Sequence, residues 1–206
     1  MDFTLNADRA KESCRAPSAI TESGAYIGQF HDAYYYTTRS GAGFMVFNFF
    51  ANDDGRSARL NMCITKRDGS DSFARGIVDA VMTVLRKRSI SSTLGVIKYS
   101  NGNSQDVERF HDLEGKKIGV ILQRVNDPSD EKYPFHMELL TPFDADTRMN
   151  AREILEKAPE AKAVDARLKT LSDRTLKKKS AAESFESPKR DEAPAHDTFV
   201  NEDIPF

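Results

Sequence analysis

The segments that decide the fold are Phe44-Met45-Val46-Phe47-Asn48-Phe49-Phe50 and, after the turn Asn52-Asp53-Asp54-Gly55, Ala58-Arg59-Leu60-Asn61-Met62-Cys63-Ile64-Thr65. The first is apolar on both faces except at Asn48, which is typical of a strand buried within a barrel or sandwich. The second alternates apolar and polar residues, as a strand with one covered face does. Because Gly55 can adopt positive φ, the turn predicts a hairpin between them.

A third strand is predicted upstream, where the pattern becomes extended from Gly24. Strict alternation places Tyr26, Phe30, Tyr34 and Tyr36 on one face, with Ile27, Ala33 and Tyr35 on the other. The polar residues 1–23 before it are interpreted as an N-terminal arm with a short helix near residues 7–13.

A helix is predicted after the hairpin, with Ser70 or Asp71 as its N-cap. An apolar stripe supports it, formed by Phe73, Ile77, Val81 and Leu85 and widened by Val78 and Met82. Further strands are expected at residues 96–99, 117–125 and 135–140. Residues 24–143 are therefore expected to form a small closed or partly open barrel with an inserted helix, for which the oligonucleotide-binding (OB) fold is the leading candidate.

A C-terminal helical extension is predicted over residues 144–176. Asn150 and Glu153 have the spacing of a capping box before a helix over 151–157, and Pro159 suits the first turn of a second helix. In that helix Val164, Leu168 and Leu171 form a narrow apolar stripe. The stripe fits packing on the barrel or on another subunit, so a homo-oligomer stays open.

Charge is distributed unevenly along the 206 residues, whose net charge is −2. Residues 183–206 hold seven acids and two bases, a net of −5, which leaves +3 for residues 1–182. Residues 177–200 carry few large apolar groups, so residues 177–206 are expected to form a disordered acidic tail. No apolar run is long enough to span a membrane and no signal peptide is visible, which favours a cytoplasmic protein.

A single-stranded nucleic acid needs a positive groove for its phosphates and aromatic rings on which bases stack. Tyr34 and Tyr36 are the candidate stacking platform, with Phe44, Phe47, Phe49 and Phe50 assigned to the core. The candidate phosphate-binding residues are Arg39, Lys66, Arg67, Arg86, Lys87, Arg88, Lys98, Lys116 and Lys117. For residues 86–88, stabilisation of a helix C-terminus is an equal alternative.

Catalytic chemistry finds no support in the sequence. There is no glycine-rich phosphate loop, and the four histidines and two cysteines have no metal-ligand spacing. We therefore expect no enzyme activity, no cofactor and no metal site.

The last six residues are Asn201-Glu202-Asp203-Ile204-Pro205-Phe206. The terminal ring can fill an apolar pocket while its carboxylate pairs with an arginine at the rim, and Pro205 stiffens the peptide before binding. This ending resembles the tails of bacterial and phage single-stranded DNA-binding proteins, which end in acids followed by Ile-Pro-Phe. Residues 1–8, 22–28 and 142–148 also look like segments of a phage and prophage branch of that family.

The resemblance implies an OB-type barrel that binds single-stranded DNA without sequence preference, encoded by a phage or prophage and acting in the cytoplasm of a bacterial host cell. It also implies that Glu202, Asp203, Ile204, Pro205 and Phe206 dock on replication, recombination and repair proteins. Two alternatives stay open. One is an adaptor that uses such a tail without coating DNA, and the other is a strand-annealing recombination factor.

Overall fold

The computed structural model describes residues 4–7, 18–53, 55–98 and 102–177, which form a mainly β protein. The predicted acidic tail with its terminal peptide Glu202–Phe206 lies outside these residues, as does most of the predicted N-terminal helix near residues 7–13. Within the described part of the chain, no helix is long and apolar enough to cross a membrane.

All eight described strands belong to one sheet. Their pairings are antiparallel, except that the short last strand pairs in parallel with β6. Five of them follow the order β3-β2-β1-β5-β4, while β6 also pairs with β1 and leads on to β7 and β8. The strands are β1 Gly24–Thr37, β2 Gly43–Ala51, β3 Ser57–Thr65, β4 Thr93–Lys98, β5 Ser104–Arg109, β6 Lys117–Asn126, β7 Phe135–Phe143 and β8 Arg174–Thr175.

The predicted hairpin is confirmed as β2 and β3, with Phe44 opposite Cys63 and Phe50 opposite Ser57. Gly55 has a φ of +67° in the turn between them, as the sequence predicts. The hairpin of β4 and β5 was only half predicted, because β5 has the polar sequence Ser-Gln-Asp-Val-Glu-Arg and buries Val107 alone.

The long strand β1 changes partner halfway along its length. Residues 24–29 pair with β6 and residues 34–35 pair with β5, while β2 pairs with the other edge from Gly28 to Thr37. Between the two halves the register shifts by one residue, a β-bulge between Phe30 and Asp32. Carbonyl groups there still find partners, since Phe30 accepts a hydrogen bond from the Gly115 amide and Ala33 from the Phe110 amide, each at 2.8 Å.

The bulge overturns the predicted division of β1 into faces. Tyr26 and Phe30 lie in the central core with Ala33, whereas Tyr34 and Tyr36 belong to a separate cluster on the opposite face. The extra residue shifts the alternation by one position, so everything after it points the other way. A sequence interpretation based on strict alternation cannot detect the inserted residue.

The helix after β3 is α1, Arg75–Val84, which packs on β7 and β3 and buries Val78, Val81 and Val84. The helix begins later than predicted because the preceding segment pairs with the end of β3. Asp71 forms an antiparallel β-bridge with Thr65, and the Ser72 amide donates a hydrogen bond to the Ile64 carbonyl. Phe73, expected in the buried stripe, is therefore outside the helix and 94% exposed.

Two short helices follow the sheet, α2 at Ala151–Leu155 and α3 at Ala163–Lys169. The predicted capping box of Asn150 and Glu153 is confirmed. Pro159 does not start the second helix. One carboxylate oxygen of Glu153 takes part in the capping box, and the other accepts hydrogen bonds from the amides of Lys162 and Ala163 at 2.7 and 2.8 Å. The second helix begins at these two amides instead.

The apolar stripe of α3 packs on this chain's own sheet. Val164 is buried against Ile121 and Phe143, and Leu168 and Leu171 pack on the same cluster. The sheet itself is open, since no pairing among the described residues joins its outer strands β3 and β7, although the two strands are in contact.

Gly119 offers a test of this packing. Gly119 pairs with Phe143 between β6 and β7, and the ring of the fully buried Phe143 occupies the space where a Cβ would lie. We expect Gly119→Ala to lower the free energy of unfolding by about 1–3 kcal/mol because the ring must move. Urea denaturation measures the change.

The matched control is Gly76→Ala in α1, where no atom beyond its own helix backbone and chain neighbours lies within 4 Å of the added carbon. That variant should be no less stable than the parent, since alanine favours a helix over glycine by about 1 kcal/mol. Equal stabilities of the Gly119→Ala variant and the parent would contradict the packing described for Phe143.

Candidate nucleic-acid interface

The side of the sheet that faces away from the central core is called here the outer face. It comprises the second half of β1 with β2, β3, β4 and β5, and its register brings outward-facing residues into neighbouring rows. Its members are Tyr34, Tyr36, Phe44, Val46, Asn48, Phe50, Arg59, Asn61, Cys63, Ile97, Val107 and Arg109.

Tyr34 and Tyr36 share this face, as predicted, but are not open to a ligand. They are only 3% and 4% exposed, packed with Val46 and Val107, and Ile97 of β4 adds to the cluster. Tyrosines in a strand often bury most of their area against side chains of the neighbouring strands. An exposed platform made of these two rings is therefore excluded in this conformation.

Phe44 and Phe50 are the half-exposed rings of the outer face. The ring of Phe44 stacks on that of Tyr36 with centroids 5.5 Å apart and planes within 13°. The Phe50 ring lies 5.4 Å from the ring of His31. The sequence prediction placed all four β2 phenylalanines in the core, which is correct only for Phe47 and Phe49. The alternation of β3 separates the two pairs of rings. Phe47 and Phe49 lie opposite the apolar Leu60 and Ala58, whereas Phe44 and Phe50 lie opposite Cys63 and Ser57.

Arg59 lies near the middle of the outer face, beside Asn48 of β2. Its side chain forms no hydrogen bond or ion pair within the described residues, and its Nε atom is buried. A guanidinium placed this way can donate hydrogen bonds to a phosphate without first breaking an internal ion pair. Sequence reasoning put Arg59 on the polar side of β3 but did not select it as a site residue.

Four of the predicted basic residues cluster at one end of the outer face. Arg39 lies in the β1–β2 turn, and Lys66 and Arg67 lie in the adjacent turn that follows β3. Lys98 ends β4 at the same end, because β5 runs antiparallel to β1 and β4 antiparallel to β5. All four are exposed, and within the described residues none forms an ion pair.

The remaining predicted bases lie elsewhere, and several are already paired with carboxylates. Arg86 is 3.6 Å from Asp144, Lys87 is 2.8 Å from Asp112, and Lys117 contacts Asp146. Arg88 and Lys116 are exposed in the same region. The hydrogen bond from Lys87 lowers the pKa of Asp112. The structure therefore places this group apart from the bases that adjoin the outer face, and three of its five members are paired with carboxylates.

A polar network fixes β5 to β1 at the bulge. Arg109 contacts the Asp32 carboxylate and donates to the Glu114 carboxylate at 3.0 Å, and the Asn48 amide donates to Asp32 at 3.3 Å. Burial raises the pKa of Glu114, but hydrogen bonds from His111, Arg109 and the Ala33 amide outweigh it and hold that pKa below its ordinary value. The network keeps the β4–β5 hairpin against the two buried tyrosines.

Within the described part of the chain, no group of three histidine, cysteine or carboxylate side chains is arranged to hold a metal ion. Three of the histidines lie apart, each beside one acid, as in the 2.7 Å contact of His111 with Glu114. The chain matches no protein-family model and shows no significant similarity to a curated protein.

Acid titration tests the network at the bulge. Because the pKa of Glu114 is lower in the folded than in the unfolded chain, its ionised form stabilises the fold above its ordinary pKa of 4.5, and this contribution disappears as the pH falls through the folded value. We expect Glu114→Gln to cost about 1–3 kcal/mol at neutral pH and progressively less below that pKa. Urea denaturation over a pH series provides the measurement.

Glu131→Gln is the control, since Glu131 is exposed in the β6–β7 loop and forms no hydrogen bond or ion pair within the described residues. It should leave the free energy of unfolding unchanged. A Glu114→Gln penalty that stays constant down to strongly acidic pH would contradict the assigned network.

Proposed function

We propose that this protein binds single-stranded DNA without sequence preference, and that the outer face is the binding surface. The observation that carries the proposal is the combination on this face of two half-exposed rings, Phe44 and Phe50, with the unpaired Arg59 between their rows. Stacking rings and a cation for phosphate are the two components that single-strand binding needs.

The strand arrangement supports the proposal. The path β3-β2-β1-β6-β7, with α1 between β3 and the later strands, follows the order of a partly open OB-type barrel, and β3 and β7 contact each other where such a barrel would close. OB folds bind oligonucleotides on the face of their second and third strands and on adjoining loops. In this chain those elements are β2, β3 and the β1–β2 turn that contains Arg39.

The charges suit a polyanion that lies across this face. Arg39, Lys66, Arg67 and Lys98 line one end and form no ion pair within the described residues. Residues 1–182 carry a net charge of only +3. Stacking must therefore contribute to the affinity alongside charge, and binding should weaken as salt rises.

The acidic ending completes the proposed function. Glu202, Asp203, Ile204, Pro205 and Phe206 would dock on replication, recombination or repair proteins of a bacterial cell that hosts a phage or prophage. The negative segment 183–206 is repelled by DNA, so this role is separate from the outer face. The proposal includes no catalysis and no cofactor.

Substitution of one ring tests the stacking. Phe44→Leu retains apolar bulk against Tyr36 but removes the ring face, so binding of a fluorescent oligo-dT of about ten nucleotides should weaken about tenfold. Fluorescence anisotropy measures it, with circular dichroism to confirm the fold. Phe73→Leu is the matched control, because Phe73 is 94% exposed but lies beside α1, away from the outer face.

An unchanged affinity of the Phe44→Leu variant, or an equal loss in the Phe73→Leu variant, would contradict the assignment of the surface. Absence of salt-sensitive oligo-dT binding by the parent protein would contradict the function itself and leave the adaptor as the better hypothesis.

The salt dependence tests the cations. Replacing Arg39, Arg59 and Arg67 together by Gln removes three proposed phosphate contacts, so the slope of log K against log salt should become shallower by about 2. The control replaces Arg152, Arg167 and Lys169 by Gln, three exposed residues on α2 and α3 outside the outer face. Equal slopes for the two triple variants would show that the phosphates lie elsewhere.

A further inference from the structure

The edge of the sheet at β4 is open and apolar. Strand β4 pairs only with β5 among the described residues, so its other side presents backbone amide and carbonyl groups without strand partners. Leu94 and Val96 of this strand are 90% and 56% exposed. They account for two of the five large apolar side chains that are exposed within the described residues.

Soluble proteins usually block such an edge. They place charges, prolines or bulges on it, or cover it with another segment, because an open edge pairs with other strands. Strand β4 has the sequence Thr-Leu-Gly-Val-Ile-Lys, contains no proline, and pairs with β5 in a continuous register. Its single charge, Lys98, is at the end of the strand.

We propose that β4 pairs antiparallel with β4 of a second copy of this chain, in a two-fold register centred on Gly95. The sheet would then continue from β5 and β4 of one copy into β4 and β5 of the other. Such an interface is isologous: if one residue of the first copy contacts another residue of the second copy, the reverse contact also occurs.

The sequence of β4 is complementary to itself in this register. Leu94 lies opposite Val96 of the second copy on one face, and Thr93 lies opposite Ile97 of the second copy on the other. Gly95 places no side chain at the axis, and the aliphatic part of Arg109 already covers it on the outer face. Lys98 meets Ser92 of the second copy, so no like charges lie opposite each other.

Size sets the strength of the contact. A stable interface buries roughly 800 Å² on each partner, and one edge of six residues provides less than that. The dimer should therefore be weak and dependent on concentration. It would place two outer faces on one continuous sheet, so that one DNA strand could contact both.

Sedimentation velocity of the full chain tests the proposal. From low concentration to about 100 µM, the mean mass of the parent should rise from 23.1 kDa towards twice that value. Val96→Lys and Leu94→Lys should each remain monomeric, because two added cations would face apolar groups across the axis. Leu155→Lys is the control, since Leu155 is 72% exposed on α2, away from β4, and it should dimerise like the parent.

A parent protein that stays at 23.1 kDa throughout would overturn the proposal, as would a dimer that survives both β4 substitutions or is lost equally in the control. The outcome is separate from DNA binding, which the anisotropy of a short oligo-dT reports for the monomer.

Cross-linking tests the register itself. In a background with Cys14→Ser and Cys63→Ser, the double variant Leu94→Cys with Val96→Cys should form a disulfide-linked dimer on mild oxidation, because opposed positions lie within disulfide range. Val96→Cys alone should link much more slowly, since its counterpart is diagonal to it. Equal rates for the two would overturn the register centred on Gly95.

Discussion

The fold depends on one irregularity, the bulge in β1 between Phe30 and Asp32. One long strand pairs with two different strands along the same edge. The extra residue at the bulge reverses the face to which the side chains after it point. Before the bulge, Phe30 enters the central core; after it, Tyr34 and Tyr36 turn to the outer face. The short segment that contains His111 and Glu114 fills the gap between β5 and β6, supplying amides to the carbonyls that neither strand reaches.

The same irregularity shapes the proposed binding surface. Because Asp32 is held at the bulge by Arg109 and Asn48, β5 stays close to β1 and its hairpin covers the two tyrosines. The exposed aromatic area then shifts to β2, where Phe44 is supported from beneath by Tyr36. Charges follow a similar division. Within the described residues, the four bases at the end of this face form no ion pair, whereas Arg86, Lys87 and Lys117 are paired with Asp144, Asp112 and Asp146.

Local signals in the sequence predicted the β2–β3 hairpin, the Asn150 capping box and the shared face of Tyr34 and Tyr36, because turn residues and alternation act over a few positions. The bulge, the strand β5 and the start of α3 could not be predicted, since each depends on partners distant in the chain, such as Glu153 for Lys162. The residues of the proposed surface were only partly selected from the sequence. Arg39, Lys66, Arg67 and Lys98 adjoin the outer face, while Phe44, Phe50 and Arg59 were missed because exposure and ion pairing are tertiary properties.

The central claim is that single-stranded DNA lies on the outer face of β1, β2 and β3. A heteronuclear NMR titration of the full chain with oligo-dT tests it most directly, since amide shifts report contact residue by residue. The account predicts the largest shifts at Phe44, Phe50, Arg59 and the β1–β2 turn around Arg39, with little change in α1 and α2. Shifts concentrated around Arg86, Lys87 and Lys117 with the outer face unchanged would contradict it.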